Sequence, residues 1–149
     1  MIVYIDSSLL ARAYLADEDG HEDAAALLED RDIAVVTGSW TRIEVSGALV
    51  RAGRGGRRDP RRLRALLAML DGDLGPGGVV ATLLARQEDV EERALDLVRD
   101  HGIRAMDAWH LAVAAMAMPP LGEPGEALGF ATRDAGQGQV AELLGFVTI

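Results

Sequence analysis

Four acidic residues stand in apolar stretches of the sequence, apart from the polar segments that hold most of the other acids. They are Asp6, Glu44, Asp107 and Asp134. Carboxylates that lie close together raise one another's pKa, so a convergent set needs arginine, protonation or a divalent metal to neutralise it. The chain has no lysine, and sites built from oxygen ligands suit Mg²⁺ or Mn²⁺ better than zinc. If these residues converge, they predict a magnesium or manganese site.

A simpler role is open to each acid on its own. Asp107 stands near the start of the apolar stretch AMDAWHLAVAAMA, residues 105 to 117. A carboxylate at a helix start can cap free N–H groups and favour the positive end of the helix dipole. The four acids are far apart in the sequence, so their spacing alone does not decide whether they meet.

Strands that alternate with helices carry these acids. Apolar runs predict strands at 2–5, 33–38, 79–84, 127–132 and 146–149. Helical spacing and helix-start signals predict helices over 7–16, 21–30, 40–53, 60–70, 87–102, 105–117 and 138–145. This alternation predicts a single α/β domain over residues 1–149, with a largely parallel sheet covered by helices on both faces.

The carboxyl edge of a parallel sheet is where functional sites form. Asp6 directly follows the first predicted strand, and Asp134 lies two residues beyond the fourth. Glu44 and Asp107 lie near the starts of helices. We therefore expect Asp6 and Asp134 at the functional edge of the sheet.

Composition limits the compartment and the partners. The chain has 149 residues, 49% of them hydrophobic, and no cysteine, which suits one compact domain and excludes a disulfide framework or a thiolate zinc site. No secretory signal stands at the start, and the longest apolar run is too short to span a bilayer. We expect a cytoplasmic protein with no membrane partner. The formal net charge of -9 argues against a general nucleic-acid coat, but a local phosphate site stays possible.

Other residues have competing interpretations. We interpret His110 as a hydrogen-bonded packing residue rather than a base or metal ligand. Trp40 and Trp109 could stack on bases, but we interpret them as core or dimer-interface anchors. Seven of the fifteen arginines lie between residues 51 and 64, where they either bind phosphate or a partner, or form a solvated surface. The candidates for contact with a substrate or a protein partner are Arg12, Arg51, Arg54, Arg57 and Arg58.

Several classes of nucleotide or phosphate site are disfavoured. The segment GQGQVA, residues 136 to 141, matches the GxGxxA form of a dinucleotide-binding turn. Too few residues follow it for a complete βαβ unit, so we interpret its glycines as turn residues. The absence of lysine argues against a phosphoacceptor receiver domain, a haloacid-dehalogenase-type phosphatase and a P-loop enzyme.

Four segments resemble the PIN-domain family, and most closely the VapC-type toxins of bacterial toxin–antitoxin pairs. They are YIDSSLLARAYL, TRIEVSGAL, MDAWHLAVA and GFATRDAGQGQVAELLGF. The acidic and small hydroxyl positions of the family correspond to Asp6, Glu44, Asp107, Asp134, Ser8 and Thr132. The resemblance also implies a five-stranded parallel sheet of order 3-2-1-4-5. That order would place the first and fourth strands side by side and bring Asp6 close to Asp134.

Within the site that the resemblance implies, we expect particular roles for these residues. Asp6 and Asp107 would bind the metal directly, while Glu44 and Asp134 would act through water or at a second metal position. Hydroxyl groups commonly orient the carboxylates around a metal, and the resemblance gives this role to Ser8 and to Thr132. Ser8 also stands where a hydroxyl at a helix start is ordinary, so both interpretations of it stay open.

The function implied by the resemblance is that of a Mg²⁺-dependent endoribonuclease, with Mn²⁺ as a substitute. Its substrate would be tRNA, rRNA or mRNA. The family also implies a homodimer and a VapB-like antitoxin whose tail occupies the active groove. The alternative is a PIN-like module that binds RNA or a protein without cutting it.

Overall fold

The computed structural model describes residues 1–54 and 59–149. These residues form a five-stranded sheet in the order β3-β2-β1-β4-β5, and every neighbouring pair is parallel. The strands are β1 (Ile2–Ile5), β2 (Ala34–Gly38), β3 (Val80–Leu83), β4 (Leu128–Ala131) and β5 (Val147–Thr148). The predicted α/β class and the implied strand order 3-2-1-4-5 are both confirmed.

Helices connect the strands and cover the sheet. They are α1 (Ser7–Tyr14), α2 (His21–Glu29), α3 (Thr41–Gly53), α4 (Pro60–Asp73), α5 (Gln87–His101), α6 (Ala105–Ala117) and α7 (Ala135–Leu143). A short 3₁₀ helix follows α6 at Pro119–Leu121. The described residues include no helix both long and apolar enough to cross a lipid bilayer.

Two helices differ by three residues from their predicted bounds, and the other helices differ by two residues or fewer. The sequence predicts that the fourth helix ends at residue 70, but α4 continues to Asp73. The prediction that Gly136 and Gly138 are turn residues is wrong, because both lie inside α7. The side chain of Asp134 accepts a hydrogen bond from the backbone N–H of Gln137 and starts this helix earlier than the glycines suggest.

The central strand β1 divides the core into two clusters. Val3 and Ile5 point to one face of the sheet, where they pack with residues of α1 to α4. Tyr4 points to the other face and packs with residues of α5, α6 and α7. All three side chains are fully buried, which explains why this strand is a continuous apolar run rather than an alternating one.

Strand β1 also sets the position of the carboxyl edge of the sheet where Asp6 and Asp134 lie, which we call the acidic edge. It pairs with β2 on one side and with β4 on the other. Beyond its last residue, the backbone N–H of Asp6 donates to the carbonyl of Ala131 at 3.1 Å. This bond extends the β1–β4 pairing to the end of both strands, so Asp6 lies beside the segment that leads to Asp134.

Candidate active site

Asp6 is the most enclosed acid of the edge. Its residue is only 3% exposed, and it caps α1 by accepting a hydrogen bond from the Leu9 N–H at 2.9 Å on Oδ1. The Ser8 hydroxyl donates to the other carboxylate oxygen, Oδ2, at 2.8 Å. Burial raises the pKa of Asp6, although these hydrogen bonds act in the opposite direction. Asp6 therefore caps helix α1 and is itself oriented by the Ser8 hydroxyl.

Thr132 joins strand β4 to helix α7. Its hydroxyl lies 2.6 Å from Oε1 of Gln137 and 3.4 Å from Oδ2 of Asp6. A threonine has one hydroxyl proton, so the shorter contact to Gln137 is the stronger bond and the one to Asp6 is secondary. The backbone N–H of Asp134 donates to the same hydroxyl at 3.1 Å. Thr132 thus holds the start of α7 as well as lying beside Asp6.

Gln137 is a site residue that sequence reasoning misses. It is fully buried, and its side-chain amide nitrogen donates to the backbone carbonyl of Asp107 at 3.3 Å. Its backbone N–H donates to Asp134. The run Asp-Ala-Gly-Gln at 134–137 has the spacing of a capping box. That signal locates the helix start, but nothing in the sequence indicates that the Gln137 side chain links α7 to α6.

Asp107 lies in the first turn of α6 and is partly buried. Burial raises its pKa, and the negative charges of Asp134 and Asp6 raise it further, against the smaller opposite effects of Arg104 and His110. Among the described residues, no hydrogen-bond donor reaches the Asp107 carboxylate. Hydrogen bonds through Thr132 and Gln137 link Asp6, Asp134 and the backbone of Asp107, so the fold brings these acids into one neighbourhood although they are far apart in the sequence.

Glu44 reaches the same region through a buried histidine. It lies in the first turn of α3, with its side chain 25% exposed, and its Oε2 lies 2.9 Å from Nε2 of His110. The other ring nitrogen of His110, Nδ1, lies 2.8 Å from the hydroxyl of Tyr4. Burial raises the pKa of Tyr4 well above its usual value, so this phenol stays protonated. His110 is a hydrogen-bonded buried residue, as predicted.

The chemistry of this edge fits a divalent cation. Its donors are carboxylate oxygens, and no described arginine forms an ion pair with Asp6, Asp107 or Asp134. Arg42 pairs instead with Asp71, and Arg133 lies 3.9 Å from Asp23. These neighbouring acids do not form a ready-made metal site, because the described residues contain no group of three or more histidine, cysteine, aspartate or glutamate side chains at metal-binding spacing. A cation would have to draw the carboxylates together or bind them partly through water.

The three arginine candidates that the structure describes form no ion pair with the four acids. The Arg12 guanidinium donates to the backbone carbonyl of Asp19. Arg51 is exposed in the last turn of α3, and its guanidinium lies back over Gly47 of the same helix. Arg54 follows at the end of α3. Arg57 and Arg58 lie outside the described residues. The contacts of the described arginines do not indicate that these residues bind phosphate.

An apolar groove lies beside the acidic edge. Trp40 and Trp109 face each other across 6.1 Å between ring centroids, and they line a groove of about 390 Å³ with Leu95, Val98 and Met106. Trp40 is 45% exposed, while Trp109 packs partly against the core of α5 and α6. The two tryptophans are thus a half-exposed pair, with Trp109 anchored inward and Trp40 facing solvent.

The chain is similar to known proteins over most of its length. Residues 3–143 match the sequence model of the PIN domain. VapC20 of Mycobacterium tuberculosis, described as a sarcin-ricin loop cleaving toxin, is 24% identical with a TM-score of 0.54, over 75% of this chain and 80% of that chain. No curated protein sequence matches the chain.

Two further solved structures share the fold. A toxin–antitoxin complex from Klebsiella pneumoniae is 19% identical with a TM-score of 0.53, over 98% of this chain and 96% of that chain. FitAcB from Neisseria gonorrhoeae is 18% identical with a TM-score of 0.55, over 100% of this chain and 96% of that chain. At these identities the likeness concerns the fold.

We predict that Asp107→Asn stabilises the metal-free protein at pH 7. The folded state raises the pKa of Asp107, so folding favours the protonated form. The penalty on the charged form is absent below the unfolded pKa of about 3.9 and grows as pH rises through the folded pKa. Asparagine removes that penalty. The melting temperature should rise by a few degrees, since 1 kcal/mol corresponds to about 2–4 °C in a domain of this size.

Thermal unfolding followed by circular dichroism in EDTA, from pH 4 to pH 8, measures this effect. The gain should shrink toward pH 4, because a growing fraction of the wild-type carboxyl is protonated as the pH falls. Asp96→Asn, on the exposed surface of α5, is the matched control and should change little. A lower melting temperature for Asp107→Asn at pH 7 would contradict the electrostatic account.

Proposed function

We propose, because the chain belongs to the PIN-domain family, that it is a metal-dependent endoribonuclease and the toxin of a type II toxin–antitoxin pair. One observation carries the proposal: Asp6, Asp107 and Asp134 come together at the carboxyl edge of the sheet, where burial raises the pKa of Asp6 and of Asp107. Perturbed carboxylates at such an edge are typical of a catalytic site. The cofactor is Mg²⁺, with Mn²⁺ as a substitute.

The residues of this chain have distinct roles in the proposed site. Asp6 and Asp107 would hold the cation directly, and Glu44 and Asp134 would hold it through water or at a second position. When bound, a divalent cation activates water at neutral pH and stabilises negative charge on the scissile phosphate. The Ser8 hydroxyl and the Leu9 N–H hold the Asp6 carboxylate in place, so this ligand is oriented before a cation arrives.

The neighbouring structures support the toxin assignment. VapC20 is named as a toxin that cleaves the sarcin-ricin loop, and a second structure of the same fold is a toxin–antitoxin complex. By analogy we assign RNA as the substrate here, whether tRNA, rRNA or mRNA, and a VapB-like antitoxin as the partner. A cytoplasmic location follows from that proposal.

A second candidate is a PIN-like module that binds RNA or a protein without cutting. The absence of a preformed group of metal-ligating side chains among the described residues favours it, because a catalytic metal site needs several ligands on one ion. The filled acidic positions and the raised pKa of Asp107 favour the nuclease. The two functions differ in whether RNA is cut.

We predict that the purified protein cuts a mixed pool of tRNA and rRNA into discrete fragments with Mg²⁺ or Mn²⁺ but not with EDTA. Asp6→Asn and Asp107→Asn should each lower the rate by at least about 100-fold, because metal catalysis contributes several kcal/mol and 1.36 kcal/mol is tenfold in rate. Asp96→Asn should cleave at the wild-type rate. Cleavage that persists in both folded site variants would refute the proposed site, and no cleavage by any preparation would favour the binding module.

We predict that expression of the wild-type chain arrests bacterial growth and that Asp107→Asn does not. Co-expression of the product of the adjacent gene should restore growth if that product is the antitoxin. Growth curves with matched protein levels, checked by immunoblot, measure both effects. Normal growth with abundant soluble wild-type protein would count against the toxin role without bearing on cleavage in vitro.

The apolar groove supports a homodimer as the assembly of this protein. Leu95 lines the groove and is 46% exposed, and exposed apolar patches commonly mark interfaces. We predict that Leu95→Glu converts a wild-type dimer into a monomer, measured by light scattering coupled to size exclusion. Leu143→Glu, on the exposed surface of α7, is the control and should leave the dimer intact. A monomeric wild-type protein at micromolar concentration would contradict the dimer.

A further inference from the structure

We propose that His110 is a positioning residue that, oriented by Tyr4, donates a hydrogen bond to Glu44 and holds that carboxylate for the cation at the acidic edge. The inference rests on the proposed function, since it assigns Glu44 to the metal site. It adds a role to a residue that is otherwise explained as packing. Three observations support it: the contacts of the ring, the direction of its protons and the position of Glu44.

Two aromatic rings and two hydrogen bonds hold the His110 ring in place. The residue is 2% exposed, with Tyr4 edge-on at 5.8 Å and Trp109 edge-on at 5.3 Å between ring centroids. Both ring nitrogens have partners, Nδ1 at the Tyr4 hydroxyl and Nε2 at Oε2 of Glu44. An apolar side chain could fill this space without the cost of burying two polar nitrogens. Packing alone therefore does not account for the imidazole.

The proton directions follow from the Tyr4 hydroxyl. Among the described residues, Nδ1 of His110 is the one acceptor within hydrogen-bonding distance of the Tyr4 hydroxyl, at 2.8 Å, and a phenol is protonated at neutral pH. The hydroxyl proton is then the one directed at Nδ1 of His110. A neutral imidazole that accepts at Nδ1 carries its proton at Nε2. Tyr4 thereby selects the tautomer that donates to Glu44.

Close packing keeps the Tyr4 hydroxyl in this position. A Cβ added at Gly38 would lie 2.7 Å from the Tyr4 oxygen and 2.6 Å from the Trp109 ring. Only glycine lets strand β2 approach the phenol and the indole this closely. The close approach of strand β2 therefore fixes the Tyr4 hydroxyl, from which hydrogen bonds run through His110 to Glu44.

Glu44 needs such a partner to be held in one place. It comes from α3, whereas Asp107 comes from α6, and its side chain is partly exposed and has several rotatable bonds. His110 lies one helical turn after Asp107 on α6, so the bond to Nε2 ties Glu44 to the helix that carries Asp107. The bond uses Oε2 and leaves Oε1 with no hydrogen bond from a described residue. One oxygen of Glu44 is therefore anchored and the other is available.

The test compares Mn²⁺ binding, by electron paramagnetic resonance of the free ion, with RNA cleavage in a small set of variants. His110→Leu and Tyr4→Phe should each weaken Mn²⁺ binding by about 10-fold, the low end of the 10–100-fold effects of groups that orient metal ligands. His110→Gln, which keeps an amide N–H of similar reach, should recover part of the affinity. Tyr4→Phe preserves the aromatic packing and keeps the test valid if His110→Leu folds poorly.

The decisive comparison is a double-mutant cycle with Glu44→Gln. If His110 acts through Glu44, adding His110→Leu to Glu44→Gln should weaken Mn²⁺ binding no further, because the interaction is already lost. If His110 only stabilises the fold, the melting temperature falls while the Mn²⁺ affinity of the folded variants stays at the wild-type value. That result, or fully additive losses of affinity, would overturn the proposal.

The outcomes also separate this inference from the proposed function. Wild-type protein that binds Mn²⁺ but cuts no RNA would refute the nuclease, while the cycle of affinities would still decide the role of His110. If the wild-type protein cuts RNA and His110→Leu leaves the Mn²⁺ affinity unchanged, only the positioning role is refuted. Wild-type protein that binds no Mn²⁺ would overturn both.

Discussion

The pairing of β1 with strands on both sides is the constraint on which the acidic edge depends. A buried strand must satisfy its backbone groups on each side, and β1 does so with β2 and β4. The last bond of this pairing, from the Asp6 N–H to the Ala131 carbonyl, fixes where both strands stop. Helices α1 and α7 begin just beyond that point, each capped by an aspartate side chain. The positions of two of the four acids follow from the strand pairing.

Repulsion between the acids is the second constraint, and it opposes the close placement that the strand pairing imposes on them. The fold places acids together that repel one another and are partly removed from water, and this raises the pKa of Asp107. Hydrogen bonds from Ser8 and Leu9 offset part of the cost at Asp6, but Asp107 receives none from the described residues. Functional sites often keep such local strain where the rest of the fold supports it. Here that support comes from a sheet whose central strand is buried from Val3 to Ile5.

Two buried polar side chains connect the helices around this edge. Gln137 links α7 to the backbone of α6 and to Thr132 on the other side, and His110 links α6 to Glu44 of α3 and to Tyr4 of β1. Each is satisfied on both sides, as a buried polar group must be. These bridges run across the sheet edge rather than along the chain. They hold the starts of helices α3, α6 and α7 together, so the acids at those helix starts have a defined arrangement.

The sequence by itself determined the α/β class, all five strands and the placement of Asp6 at the end of the first strand, because apolar runs and helix-start residues are local signals. It misplaced the start of α7, since Gly136 and Gly138 suggest a turn when the capping bond of Asp134 is not considered. The convergence of Asp107 with Asp6 and Asp134 required the strand order, which only the resemblance supplied in advance. Only the tertiary structure decided the roles of Gln137 and the partners of His110. Their hydrogen bonds join residues that are 30 and 66 positions apart, and no local pattern encodes a contact at that separation.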